Sequence, residues 1–136
     1  MRTLIFSAAL LSGFSASAQD VAPPGDEALG RDLYMRYCAT CHGVEARGDG
    51  PMASILLIQP TDLTALSRTN NGAFPLPRVA RRIDGRDPLV SHGSPMPLFG
   101  DFFKGSSVAL RTPSGQPILT NQPVADLVAY IAGIQQ

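Results

Sequence analysis

Cys38, Cys41 and His42 are the residues whose types and spacing could do chemistry. They stand together in "YCATCHG", residues 37–43, which holds both cysteines and one of the two histidines of this 136-residue chain. Four chemistries use parts of that set. Two cysteines in an exported chain often close a disulfide. A Cys-x-x-Cys can be a thioredoxin-type redox pair, but that motif needs a βαβ context, which the surrounding sequence lacks. A zinc site would have to draw on Cys38, Cys41, His42 and His92, and adjacent Cys41 and His42 make a tetrahedral arrangement awkward. The fourth is covalent haem attachment, whose signature is C-x-x-C-H.

The spacing favours the fourth. Two thiols three positions apart lie on one helical turn, where each can add to a vinyl group of the same porphyrin. The next residue then presents its imidazole to the iron from the same turn. Covalent attachment of this kind belongs outside the cytoplasm, and the N-terminus agrees. Arg2 precedes the apolar run "TLIFSAALLSGF", which is too short to span a bilayer, and "ASA" at Ala16–Ala18 reads as a cleavage site. A signal peptide over 1–18, a single domain over 19–136 and a periplasmic location are therefore expected, with no membrane span once the signal is removed.

Composition narrows the rest. Eleven basic and eleven acidic residues balance, and Arg2 falls in the leader, which argues against nucleic acid as a partner. Thirteen Gly and twelve Pro make a loop-rich chain with little apolar core for its size, so a bulky buried cofactor would supply what side chains do not.

The elements that must position the motif follow from periodicity. "GDEALGRDLYMRYCATCHG" reads as a helix with Leu29, Leu33 and Tyr37 on one face and Asp26 and Glu27 at its electropositive start. Gly30 costs about 1 kcal/mol there relative to Ala, which calls for close approach of another backbone. "PTDLTALS" suggests a short helix with Thr61 as N-cap. "FPLPRVARRIDG" suggests another, with Leu76, Val79, Ala80 and Ile83 inward, Pro77 in the first turn and Gly85 as the stop. "VALRTPSGQPILT" is a candidate hairpin around Pro113–Gly115. The chain ends in an amphipathic helix with Val124, Leu127, Val128 and Ile131 as its stripe, Asn121 as cap and Pro123 in its first turn.

With these segments in place, the chain resembles the small class I c-type cytochromes, the monohaem His/Met electron carriers. The resemblance rests on "GDEALGRDLYMRYCATCHG", "GDGP", "HGSPMP" and "VADLVAYIAGI", and covers the chain from about Gly25 to the end. It implies an all-α fold of helices and long loops around one covalently bound haem c with its iron. Residues 105–120 are longer than a minimal member needs; they contain the candidate hairpin, near 107–120. The resemblance also implies that the C-terminal helix crosses the first at Gly30, with Tyr34 and Tyr130 nearby. It implies that Cys38 and Cys41 carry the haem, that His42 and Met96 ligate the iron, and that the Pro51 carbonyl accepts the Nδ1–H of His42. Leu56, Leu57, Ile58, Leu63, Leu66, Phe74, Val79, Ile83, Leu98 and Phe99 are expected to wall the pocket.

Met96 is preferred over His92 as distal ligand on the residues as well. Met35 shares the attachment helix and so does not reach the opposite face, and the resemblance puts Met52, after Pro51, on the His42 side. Pro95 and Pro97 stiffen the backbone at Met96, which suits a weak thioether bond, whereas His92 adjoins Gly93. The function implied is a single-electron shuttle between redox proteins, without substrate turnover and as a monomer. The alternatives are a haem enzyme or sensor with a displaceable distal ligand, or a tightly bound subunit of a larger oxidoreductase. Arg78, Arg81, Arg82 and Arg86 crowd one short helix as a solvated face, a propionate partner or a docking patch for an acidic protein.

Overall fold

The computed structural model describes residues 24–87 and 96–136. Four α-helices and one hairpin are found among them: α1 (Glu27–Tyr37), α2 (Ala39–His42), α3 (Leu76–Asp84), β1 (Ser107–Leu110), β2 (Ile118–Asn121) and α4 (Gln122–Gly133). Three single 3-10 turns, Ala53–Ile55, Leu63–Ala65 and Arg68–Asn70, punctuate the long loop between α2 and α3. The fold is mostly helical, as the sequence implies.

The packing of α1 on α4 builds the core. Asp26 caps α1, its carboxylate accepting from the amides of Ala28 and Leu29 at 2.8 and 3.0 Å. The buried residues of α1 are Gly30 and Tyr34, whereas Leu29 stays 54 % exposed. Leu33 and Tyr37 of the expected stripe do pack, partly buried, against the core, but Leu29 does not, and the most buried line of the helix runs through Gly30 and Tyr34. The cause is Gly30: a Cβ there would lie 2.0 Å from the carbonyl oxygen of Asp126, so the two helix backbones touch at this point. Tyr34 and Tyr130 meet one turn along, ring centroids 5.2 Å apart.

On α4 the stripe Val124, Leu127, Val128 and Ile131 is buried as expected. Asn121 caps the helix through the Val124 amide at 3.1 Å, with Pro123 in its first turn. Asp126, polar by type, is buried beside them. Its Oδ1 accepts from the Asp26 amide and from Gln122 Nε2, both at 2.8 Å, and so joins α4 to the start of α1. Such a carboxylate is tolerated in a core because its hydrogen bonds replace those to water.

Helix α3 buries Val79, Ala80 and Ile83 and ends where Gly85 adopts a left-handed conformation, φ 86°. The antiparallel hairpin pairs Ser107 with Asn121 and Leu110 with Ile118. Leu110 and Thr120 are buried on its inner face. Arg86 links α3 to it, reaching both Asp84 and the Leu119 carbonyl. No helix of the described residues is long and apolar enough to cross a membrane.

Candidate haem site

The attachment motif sits where α1 gives way to α2. Cys38 closes α1 through its amide to the Tyr34 carbonyl (2.8 Å) and is also the residue from which α2 starts. The amides of Cys41 and His42 both return to the Cys38 carbonyl, at 3.1 and 2.9 Å. The two thiols and the imidazole therefore share one tight turn. Buried Ala39 roots that turn in the core, and the Tyr34 hydroxyl donates to the Gly43 carbonyl at 2.6 Å to fix its far end. Burial raises the Tyr34 hydroxyl's pKa, so it remains a protonated donor.

Cys38 and Cys41 are both free thiols, half-buried, and no disulfide joins them. Burial, and secondarily Cys41, pushes the Cys38 thiol up to about 12. Among the described residues no three His, Cys, Asp or Glu side chains converge as a metal cluster. His92, the fourth member of the zinc alternative, lies outside the described residues.

His42 Nδ1 lies 3.0 Å from the Thr61 carbonyl oxygen. A carbonyl only accepts, so Nδ1 carries the hydrogen and the Nε2 lone pair is left for a metal. Burial lowers the imidazole's pKa, and the Thr61 hydrogen bond partly opposes this. A ring held neutral, in one tautomer and one orientation, is what an iron ligand requires.

The acceptor is thus Thr61, and the expectation for Pro51 is corrected. The segment around Pro51 is strapped to the attachment turn by backbone instead. The Gly50 amide donates to the Cys41 carbonyl (3.1 Å) and the Met52 amide to the Thr40 carbonyl (3.0 Å). Pro51 itself is exposed between Gly50 and Met52, and the later loop supplies the Thr61 carbonyl to His42. Thr61 is not the helix cap either. Asp62 takes that role, accepting from the Thr64 amide at 2.9 Å and the Thr64 hydroxyl at 2.6 Å, so Thr61 lies ahead of the turn with its carbonyl available to His42. The signal that could have found it is the order Pro-Thr-Asp-x-Thr at 60–64, in which Asp and Thr can close a cap one residue after Thr61. Gly48 lets the two loops close: a Cβ there would lie 2.2 Å from the Pro60 carbonyl oxygen.

Met96 is partly buried and packs on the same hydrophobic cluster as Tyr37, Cys38 and Phe99. Its neighbours are anchored to α3 through the Phe99 amide, which donates to the Ile83 carbonyl at 2.8 Å. Phe99 in turn stacks on Phe103 at 5.2 Å and approaches Tyr37 of α1 at 6.3 Å. Of the residues expected to wall the pocket, Leu66, Val79 and Ile83 are buried in the core, whereas Leu57, Ile58 and Leu98 are exposed. Leu57 and Ile58 lie on the loop after Met52, and Leu98 lies two residues after Met96.

The donor set fits covalently held haem. It offers two unpaired thiols on one turn, a neutral imidazole with Nε2 available directly after them, and a thioether on the core that also receives Cys38. The fold and this site define a covalent haem protein. The comparisons then place it more narrowly. The Cytochrome c family matches residues 27–135, and the chain belongs to that family. Its cofactor is haem c with iron. No curated protein matches. Among solved structures, a chain of the Kuenenia stuttgartiensis reducing HAO-like protein complex is similar in fold, with a TM-score of 0.56 and 22 % sequence identity. The match covers 83 % of this chain and 44 % of that one, so this chain spans less than half the length of its structural neighbour.

Proposed function

We propose that this chain is a periplasmic monohaem c-type cytochrome that shuttles single electrons between redox proteins. In this reading Cys38 and Cys41 hold the haem and His42 and Met96 ligate its iron. The observation that carries it is the His42 imidazole, fixed at Nδ1 by Thr61 and following directly on two cysteines of the same turn. When bound, the haem supplies a one-electron Fe(III)/Fe(II) couple.

The chain's own residues set the terms of that couple. His42 and Met96 would hold the iron between them, and an iron held by two protein ligands would have no open position for a substrate. A thioether favours Fe(II) more than a second imidazole would, so the pair holds the potential relatively high. Thr61 raises the basicity of His42, and the Gly50 and Met52 amides strap the turn that carries it. Export by the 1–18 leader puts the chain where covalent attachment is carried out.

The test combines mass, stain and spectrum. The purified protein should exceed its polypeptide mass by one haem and keep haem stain on a denaturing gel, since thioether bonds survive unfolding. The ferric protein should show the weak far-red sulfur-to-iron band, lost in Met96→Ala and kept in His92→Ala. A protein of plain polypeptide mass refutes the attachment. A band absent from the wild type, with a potential that drops only in His92→Ala, refutes Met96.

A second reading makes the chain a subunit of a larger oxidoreductase. The structural neighbour, a chain of a reducing HAO-like protein complex, is compatible with this reading. Co-purification of a stoichiometric partner from a periplasmic extract supports it, and a monomer at native concentration opposes it. A haem enzyme or sensor with a displaceable distal ligand is distinguished by rapid carbon monoxide binding to the as-isolated reduced protein.

A further inference from the structure

The C-terminal residues are tied to the loop that holds His42, at its most constrained point. Gln135 Nε2 donates to the Leu63 carbonyl at 2.7 Å, and its Oε1 accepts from the Ser67 amide at 2.8 Å. The same Nε2 also donates to the Ile131 carbonyl of α4 at 2.7 Å. The Gln136 amide adds a bond to the Thr64 carbonyl at 2.9 Å. The 3-10 turn Leu63–Ala65 is only three residues long, so its carbonyls have few partners of their own. From the other side the Leu63 amide donates to the Ala46 carbonyl at 2.8 Å. Leu63 is therefore held at both its amide and its carbonyl, two residues after the carbonyl that accepts from His42.

We infer that Gln135 is a positioning residue for the His42 imidazole, clamping the 61–67 loop to α4 so that the Thr61 carbonyl stays aligned with Nδ1–H. Helix α4 is a firm base for such a clamp, since Ile131 is 3 % exposed and Leu127 fully buried. Gln is suited to the task because one planar amide both donates and accepts. It can therefore join the Leu63 carbonyl, the Ser67 amide and the Ile131 carbonyl at once. The consequence concerns the iron. A well-aligned Nδ1–H···O bond makes the imidazole a stronger donor through Nε2 and favours Fe(III). Releasing the clamp weakens that bond and favours Fe(II).

This rests on His42 being an axial ligand, and the experiment separates the two. The holoprotein is compared with Gln135→Leu, and with Gln122→Leu as a control at the opposite end of α4. Gln122 Nε2 bonds the Pro24 carbonyl and Asp126, far from the 61–67 loop in sequence and on the α1 side. Two readouts are taken: the midpoint potential, and hydrogen exchange of the His42 Nδ1–H by NMR in the ferrous protein. Gln135→Leu should raise the potential and speed Nδ1–H exchange. Gln122→Leu should lower stability and leave both unchanged. Should Gln135→Leu fail to fold, Gln135→Glu keeps the acceptor for Ser67 but cannot donate to Leu63, and must shift both readouts in the same direction. Stability loss without a change in potential or exchange makes Gln135 an ordinary structural residue and overturns the inference. If the wild-type His42 ring protons lack the upfield shift of a haem ligand, the site assignment itself fails, and the inference with it.

Discussion

Substituting Gly30 by Ala tests the helix crossing on which the attachment turn rests. In an isolated helix the change gains about 1 kcal/mol. Here the new methyl would stand 2.0 Å from the Asp126 carbonyl oxygen, 2.5 Å from its carbon and 2.9 Å from Tyr130 Cβ. Two of these atoms are helical backbone and cannot rotate away. Ordinary Cβ contacts begin at 3.4 Å, so α1 and α4 would have to part by more than an ångström. Parting them stretches the Asp26–Asp126 bond and loosens the Tyr34–Tyr130 contact. Overpacking of this kind costs about 3 kcal/mol at the upper end of its usual range. The net loss is therefore about 2 kcal/mol once the propensity gain is taken off. For a domain of this size that is a fall in Tm of roughly 8–10 °C. Thermal and urea unfolding of the ferric holoprotein, followed by far-ultraviolet circular dichroism, reads it directly. Leu29→Ala is the matched comparison, because Leu29 is half-exposed and should cost about 0.5 kcal/mol or less. A Gly30→Ala protein as stable as the wild type, or a larger loss in Leu29→Ala, would show that the helices do not meet at Gly30.

Asp126→Leu leaves the Asp26 amide and Gln122 Nε2 without their buried acceptor and should cost about 2–3 kcal/mol, while Asp126→Asn, which keeps an oxygen in place, should cost clearly less in the same urea titration. Asp62→Ala removes the cap behind Thr61 and should cost about 1 kcal/mol at pH 7. The Thr64 hydroxyl's hydrogen bond holds the Asp62 pKa below its ordinary value, so the charge-dependent part of this stability is full above about pH 4 and is lost as pH falls through the folded pKa. The gap between wild type and Asp62→Ala should accordingly narrow below pH 4, and a gap that widens there contradicts the assignment. Arg86→Ala releases β2 from the end of α3 and should speed amide exchange in the hairpin, at a stability cost of about 1 kcal/mol because the ion pair with Asp84 is half-exposed on the Arg side.

Much of this protein is legible in its sequence because the relevant forces act locally. Cys38, Cys41 and His42 share a turn because a spacing of three and then one leaves them nowhere else to be. The stripe Val124, Leu127, Val128 and Ile131 is buried as its period implies, and Asn121, Pro123 and Gly85 act at helix ends through their own backbone preferences. The hairpin at 107–121 follows from β-branched and apolar residues on either side of Pro113–Gly115. Tertiary structure decided what local rules leave degenerate. Leu29 and Gly30 are equally able to face the core by periodicity; the contact of two backbones selects Gly30, because only a residue without a Cβ permits it. Asp126 is buried against its type because two donors from elsewhere in the chain meet it there. The acceptor for His42 is settled the same way. Pro51 is nearer in sequence, but its neighbours' amides are committed to Thr40 and Cys41. The carbonyl that reaches Nδ1 arrives with the later loop, held in place by the Gly48 contact, the Ala46–Leu63 bond and the C-terminal Gln135. A hydrogen bond between residues 19 apart depends on every segment that fixes the loop between them, and no local pattern in the sequence encodes that sum.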